Sequence, residues 1–229
     1  MGRRRRRYCR RWIIPLLPTA VMLACGLSAG LPAAAGGTPS CDPGTSQPAC
    51  DASAMADISG GPLGIAGPTS LSWTDTLNGY NQSVADTDTS DQSYTVTDPT
   101  GTGAGWNVTV EATPFTGTNT GAVLPDSTVL ETNGDPGSES GTSAPTAQCA
   151  TDSTCTLPTP SGAVAYPAQI PVSADDTAQP VAIYDASSDS GMGSAVISDV
   201  GWWLNIPANT EADTYSSTIV LTVNSGPAP

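Results

Sequence analysis

Tyr215, Ser217, Ile219, Leu221 and Val223 occupy alternate positions near the C-terminal end, with Ser216, Thr218, Val220, Thr222 and Asn224 between them. A period of two puts successive side chains on opposite faces of a strand, so this run predicts a strand with one mostly apolar face. Trp106, Val108, Val110 and Ala112 alternate in the same way with Asn107, Thr109, Glu111 and Thr113. Leu71 to Leu77 roughly alternates and meets Asn78-Gly79, a strong hairpin signal, from which Asn81 to Val84 is expected to return. Tyr94 to Asp98 predicts another strand, ended by Pro99-Thr100-Gly101-Thr102-Gly103. Val129-Leu130, Ala163 to Val172, Val181 to Tyr184, Ala195 to Ile197 and Trp202 to Ile206 supply the remainder. No helical period is sustained anywhere, and no internal repeat is evident. Short strands spaced by about 10 residues predict an all-β domain over 58–229, a single antiparallel, Ig-like β-sandwich with long polar loops.

Charge narrows what such a sandwich can do. The chain has no histidine, its seven basic residues are arginines between positions 3 and 11, and its 21 carboxylates all follow them. A body without cations offers no footprint for nucleic acid and no fork for phosphoryl groups. Ser-His-Asp and Cys-His constellations, His-ligated zinc and a Schiff-base lysine are excluded by residue type. Activity has to come from hydroxyls, amides, carboxylates, aromatic rings and backbone.

The arginines have a different meaning at the N-terminus. They form a basic start before the apolar stretch Trp12 to Leu31, and Ala33 and Ala35 give an A-x-A site before Gly36-Gly37. Residues 1–35 are therefore expected to be a secretory signal peptide, leaving no membrane span once it is cleaved. A signal-anchor helix and a lipid-bearing Cys25 are the competing readings. Residues 36–57 are rich in Pro, Gly and Ser and read as an arm tied by a disulfide. Cys41 and Cys50 flank polar turn formers, as do Cys149 and Cys155. Export favours two disulfides over a cysteine-only zinc site, and four cysteines allow three connectivities. A local loop of either length stabilises by about 2–3 kcal/mol.

The segment Val96-Thr97-Asp98-Pro99-Thr100-Gly101-Thr102-Gly103-Ala104-Gly105-Trp106-Asn107-Val108 resembles the first signature of WxL-type surface domains. There a strand ends in Asp, a Gly-rich turn follows, and Gly-Trp-x-Leu opens the next strand. Ile206-Pro207-Ala208-Asn209-Thr210, Tyr215 to Val223 and Gly226-Pro227 resemble the second signature, and Gly191-Met192-Gly193 resembles the family's Gly-rich loop. The likeness extends over roughly 58–227. Val108 stands where the first signature has Leu, and Leu221-Thr222-Val223 stands where the second has Trp-x-Leu. A literal Trp202-Trp203-Leu204 occurs one strand earlier. The resemblance implies an exported protein held non-covalently to the bacterial cell wall through peptidoglycan, often alongside other surface proteins.

Residues that would carry such binding are few. Trp106 on its alternating strand reads either as core or as a sugar-stacking ring. Trp202 and Trp203 face opposite sides of one strand, so the two do not share a core, and an outward indole is a candidate carbohydrate platform. A covering loop is the plainer alternative. Asp98 is a further binding candidate, with a local role in accepting N–H groups of the turn after it. Asp86, Asp88 and Asp91 resemble the start of a calcium loop but lack its glycine and final glutamate, leaving an irregular calcium site or a solvated acidic loop. Asp185 and Asp189 pose the same alternative. No other cofactor is expected. The leading function is a non-catalytic module binding the cell wall or a surface partner. A surface-coat subunit assembling by strand edges is the alternative. A glycoside hydrolase working through carboxylates alone is the third, its glutamates limited to Glu111, Glu131, Glu139 and Glu211.

Overall fold

A computed structural model describes residues 54–137, 141–172 and 179–229. The chain falls into two units, Met1–Met55 and Ala56–Pro229, and nearly all described residues belong to the second. The expected signal peptide and the Cys41/Cys50 pair lie outside the described residues.

Every regular element among the described residues is a strand. In chain order they are β1 (Gly64–Ala66), β2 (Gln82–Ala85), β3 (Ser93–Asp98), β4 (Trp106–Ala112), β5 (Thr116–Gly117) and β6 (Val129–Asn133). They continue with β7 (Thr146–Cys149), β8 (Ala168–Pro171), β9 (Val181–Ala186), β10 (Gly193–Ser198), β11 (Gly201–Ile206), β12 (Tyr215–Ser216) and β13 (Ile219–Ser225). Three antiparallel sheets run β1-β3-β10-β7, β2-β11-β6-β8 and β13-β4-β9, and β12 pairs with β5 in a short ribbon. The arrangement is all-β and sandwich-like.

The alternation read from the sequence explains what each sheet buries. Trp106, Val108, Val110 and Ala112 of β4 point into the core, and Leu221 and Val223 of β13 share that face through the pairings Leu221↔Val110 and Val223↔Val108. Val96 and Tyr94 of β3, Ile197 of β10, Leu130 of β6, Ile170 of β8 and Trp202 of β11 join the same cluster. β4 and β9 change register between Val108 and Thr109, which pair with Tyr184 and Ala182. The bulge leaves Ile183 as the extra residue, so Ile183 and Tyr184 are both buried. Tyr184 then stacks beside Trp106 with ring centroids 6.0 Å apart.

Several expected strands differ. Leu71 to Leu77 forms no ladder, although Leu71 and Trp73 still pack on the core. Side chains take its backbone groups instead: Ser72 N–H donates to Asp86 Oδ2 at 2.6 Å and Tyr80 N–H to Asn78 Oδ1 at 2.9 Å. The expected strand from Ala163 to Val172 shortens to β8, because Ser161 before it is held by N–H and hydroxyl bonds to Asp185. The C-terminal strand is broken at Ser217-Thr218. There Thr113 and Thr218 exchange backbone and hydroxyl bonds, which turns β12 away from β4 and onto β5. β1, β5 and β7 carry no alternation long enough to be read from sequence.

Candidate functional site

Three of the segments that carry the resemblance, the Gly-rich turn before Trp106, the Gly191 loop and the C-terminal strand, are far apart in sequence and meet around one indole. β13 pairs with β4 along its whole length, from Ile219↔Ala112 to Ser225↔Trp106. Trp106 is fully buried, and its Nε1 donates to the Gly191 carbonyl at 3.0 Å. Gly226 N–H donates to the Gly105 carbonyl at 2.9 Å, and Asn107 Nδ2 to the Gly226 carbonyl at 2.8 Å. Gly191 has φ +78°, and a side chain there would run into Trp106 Nε1 and the Ala186 methyl. Glycine is required at that position for its backbone and for its missing Cβ.

The disulfide braces the same loop. Cys149 and Cys155 are bonded, fixing one of the sequence connectivities. Beyond them Thr156 N–H donates to the Met192 carbonyl, and Gly191 N–H donates back to the Thr156 carbonyl. The carbonyl that receives the Trp106 indole is thus tied into a short cross-linked segment.

The three tryptophans proposed for sugar stacking all lie inside the protein, with Trp106 and Trp202 at 0 % exposure and Trp203 at 2 %. None presents a ring face to solvent. Trp202 belongs to the central core and donates its Nε1 to the Asp91 carbonyl at 3.2 Å. Trp203 is on the opposite face, as the strand requires, and lies across Gly201 on its own strand, where a side chain would collide with its ring. Its neighbours in register are Ala85 and Glu131, and Glu131 accepts from Gln169 Nε2 at 3.0 Å. The plainer reading of the outward indole, covered and structural, is the one the fold realises.

Asp98 is buried at the end of β3. Its Oδ1 accepts from Thr100 N–H at 3.0 Å and from the Thr100 hydroxyl at 2.6 Å. That capping shapes the Gly-rich turn leading to Trp106. Asp185 is likewise buried, and its oxygens accept from Ser161. Asp189, at φ 64°, donates its backbone N–H to the Gly103 carbonyl at 2.8 Å. It thereby joins the two Gly-rich loops.

In the acidic loop, Asp86 accepts from Ser72 N–H and Asp88 N–H, and Asp88 accepts from Ser90 N–H. The Ser90 amide holds the Asp88 carboxyl below its ordinary value. Asp91 is different. Its Oδ1 is buried without a hydrogen-bond partner, and desolvation, then the charges of Asp86 and Asp88, raise its pKa. Among the described residues no three acidic side chains are grouped so as to hold a metal ion.

Among the described residues, two surface grooves offer places for a ligand. The larger, about 540 Å³, is lined by Thr113, Pro114, Thr116, Val123, Ser216, Ser217 and Thr218. Register explains its floor: Ser216 pairs with Thr116 across β12 and β5, and Thr116 pairs with Val123 beyond. Asp213 fixes the turn joining those segments, accepting from the N–H and hydroxyl of Thr120, both at 2.8 Å, and from Asn119 N–H at 3.2 Å. The Thr120 backbone bond in particular holds the Asp213 carboxyl far below the usual carboxylate range. The smaller groove, about 290 Å³, is lined by Asn81, Gln82, Ser83, Ser127, Asn205, Ile206 and Pro207. Neither lining contains a carboxylate.

Sequence reading missed both grooves. Ser216, Thr218, Thr113 and Thr116 read only as polar positions, and nothing local says that residues about a hundred positions apart share a wall.

Comparison with known families decides the assignment. The chain matches the family of the WxL domain, surface cell wall-binding, over residues 67–227. It belongs to the WxL family. No curated protein and no solved structure matches it. The matched span contains both signature segments and reaches to Gly226-Pro227, so this WxL domain keeps its overall frame without the second tryptophan. Leu221, at that place, is half-buried, with its Cδ2 3.3 Å from where a side chain on Gly67 would begin. Among the described residues no helix of the WxL domain is long and apolar enough to cross a membrane.

Proposed function

We propose that this WxL protein is exported and holds non-covalently to the bacterial cell wall through peptidoglycan, without catalysing a reaction on it. The observation that carries the reading is the family match over 67–227, with its two signature segments closing on Trp106. The tryptophans serve as frame in this reading, and binding belongs to surface hydroxyls and amides. A carboxylate-based hydrolase would need an acid and a second carboxylate facing one cleft. The two grooves offer hydroxyls and amides in those places, which supports the non-catalytic reading.

The test is co-sedimentation of the full chain with isolated sacculi, in calcium and in chelator. Saturable pelleting with no release of soluble sugar supports the proposal, and absence of pelleting in both conditions overturns it. Dependence on calcium assigns a role to the Asp86–Asp91 loop. A coat subunit is the second reading. It is favoured by β13, a seven-residue strand at the end of its sheet with half-exposed Val220 on its outer face. Concentration-dependent assembly in sedimentation velocity, without sacculi, would favour it.

A further inference from the structure

We infer that the groove between β12, β5 and the end of β4 is the subsite that receives an uncharged, hydroxyl- and acetamido-bearing sugar segment of a wall polysaccharide. The inference rests on the wall-binding proposal and names where and how that binding occurs. Its floor is a row of side chains fixed by register, Ser216–Thr116–Val123, and one wall is Thr113, Ser217 and Thr218.

Two of the hydroxyls are engaged in holding that wall together. Thr113 Oγ1 accepts from Thr218 N–H at 2.8 Å, and the Ser217 hydroxyl bonds to the Thr113 carbonyl. The hydroxyls of Thr116, Ser216 and Thr218 have no hydrogen-bond partner among the described residues. Three free donor–acceptor groups, beside the apolar surfaces of Val123 and Pro114, match the mixed character of a sugar ring, whose edge carries hydroxyls and whose face carries C–H groups.

Charge selects among ligands. An anionic ligand approaching this body meets carboxylates and no cation after Arg11. A cationic ligand finds no carboxylate in the groove lining. An apolar ligand would strip water from three hydroxyls without replacing their bonds. A neutral polar ligand satisfies all three conditions.

The volume of about 540 Å³ is ample for a short oligosaccharide, within the range of about 300–1,000 Å³ usual for small-ligand sites. The turn that joins Thr116 to Val123 is held before binding, because Asp213 pins Asn119 and Thr120 within it. A pre-set turn beneath the lining reduces the ordering cost of association.

The experiment uses the full chain and two probes, chitotetraose and isolated sacculi. Amide and methyl NMR shifts are followed with chitotetraose, and pelleting with sacculi. The Thr116→Val/Ser216→Ala pair removes two hydroxyls at near-constant volume, and Ser83→Ala in the smaller groove is the control. The expected result is that chitotetraose shifts Thr116, Val123 and Ser216, and that the pair weakens both interactions at least tenfold with an unchanged melting temperature. Wild-type pelleting that the pair retains overturns the groove and leaves the wall-binding proposal standing. Chitotetraose shifts at the groove without pelleting leave a sugar-binding groove but overturn wall binding and, with it, this inference. Neither interaction in the wild type overturns both.

Discussion

Trp106 shows how one residue's place depends on another that the sequence barely marks. Its alternation on β4 favours core over sugar-stacking, and the contact that fixes the indole there is the Gly191 carbonyl, 85 positions away. A substitution there tests the arrangement. Gly191→Ala would have to place a Cβ against the Trp106 indole at a positive φ, combining backbone strain with overpacking. The expected cost is about 2–4 kcal/mol in urea unfolding. Gly79→Ala makes the comparison, since Gly79 also has positive φ but open space around it. It should lose only the conformational part, about 1 kcal/mol. Equal losses in the two variants would mean that the packing against Trp106 contributes nothing.

The pair Trp202-Trp203 marks the limit of reading residues singly. Opposite faces follow from strand geometry, and the fold places Trp202 in the central core and Trp203 outside it. Exposure did not follow, because the cover over Trp203 comes from its own Gly201 and from strand neighbours that pairing alone brings near. Asp98 was legible for a simple reason, since its partner Thr100 is two residues away.

At the level of elements, strands with several alternating positions or a turn signal beside them are readable, and β1, β5 and β7 are not. The ribbon β5–β12 exists only because Thr113 and Thr218 redirect the chain, a contact across 105 positions. Its adjoining turn depends on Asp213, and this gives a pH prediction. Thr120 and its neighbours lower the folded pKa of Asp213 below its unfolded value, so the folded form binds that proton less tightly. The stabilisation is complete above the ordinary carboxylate range near pH 4 and is lost as pH falls through the lower folded value. The Thr120 amide should therefore stay protected from hydrogen exchange down through pH 4, after correction for intrinsic rates. In Asp213→Asn, protection should already be reduced at pH 7. A Thr120 amide that opens at pH 4 to 5 in the wild type would contradict this. Asp91 acts in the opposite sense. Its raised pKa means that ionisation opposes folding, and that penalty grows as pH rises from the unfolded value through the folded one.

Over the whole molecule, the absence of any cation after Arg11 governs how the WxL domain meets a wall. A basic wall-binding domain would be drawn in by opposite charge, and its binding would weaken with salt as the attraction is screened. This domain carries only carboxylates after Arg11, so its long-range interaction with an acidic wall polymer is repulsive and salt weakens the repulsion. Attraction then has to arise at short range, through hydrogen bonds and sugar-face contacts such as the β5–β12 groove offers. Pelleting with sacculi should consequently hold or increase as sodium chloride rises from about 0.01 M to about 0.5 M, over which the screening length falls from about 30 Å to a few ångströms. The on-rate should show the larger change, because electrostatics acts first on encounter. Thr116→Glu, which sets a carboxylate on the groove floor, should bind more weakly and regain part of its binding at high salt. A wild-type protein that salt releases from sacculi would mean that ionic bridges hold it. Calcium joining the Asp86–Asp91 loop to acidic wall groups would then replace the neutral groove as the physical basis of attachment.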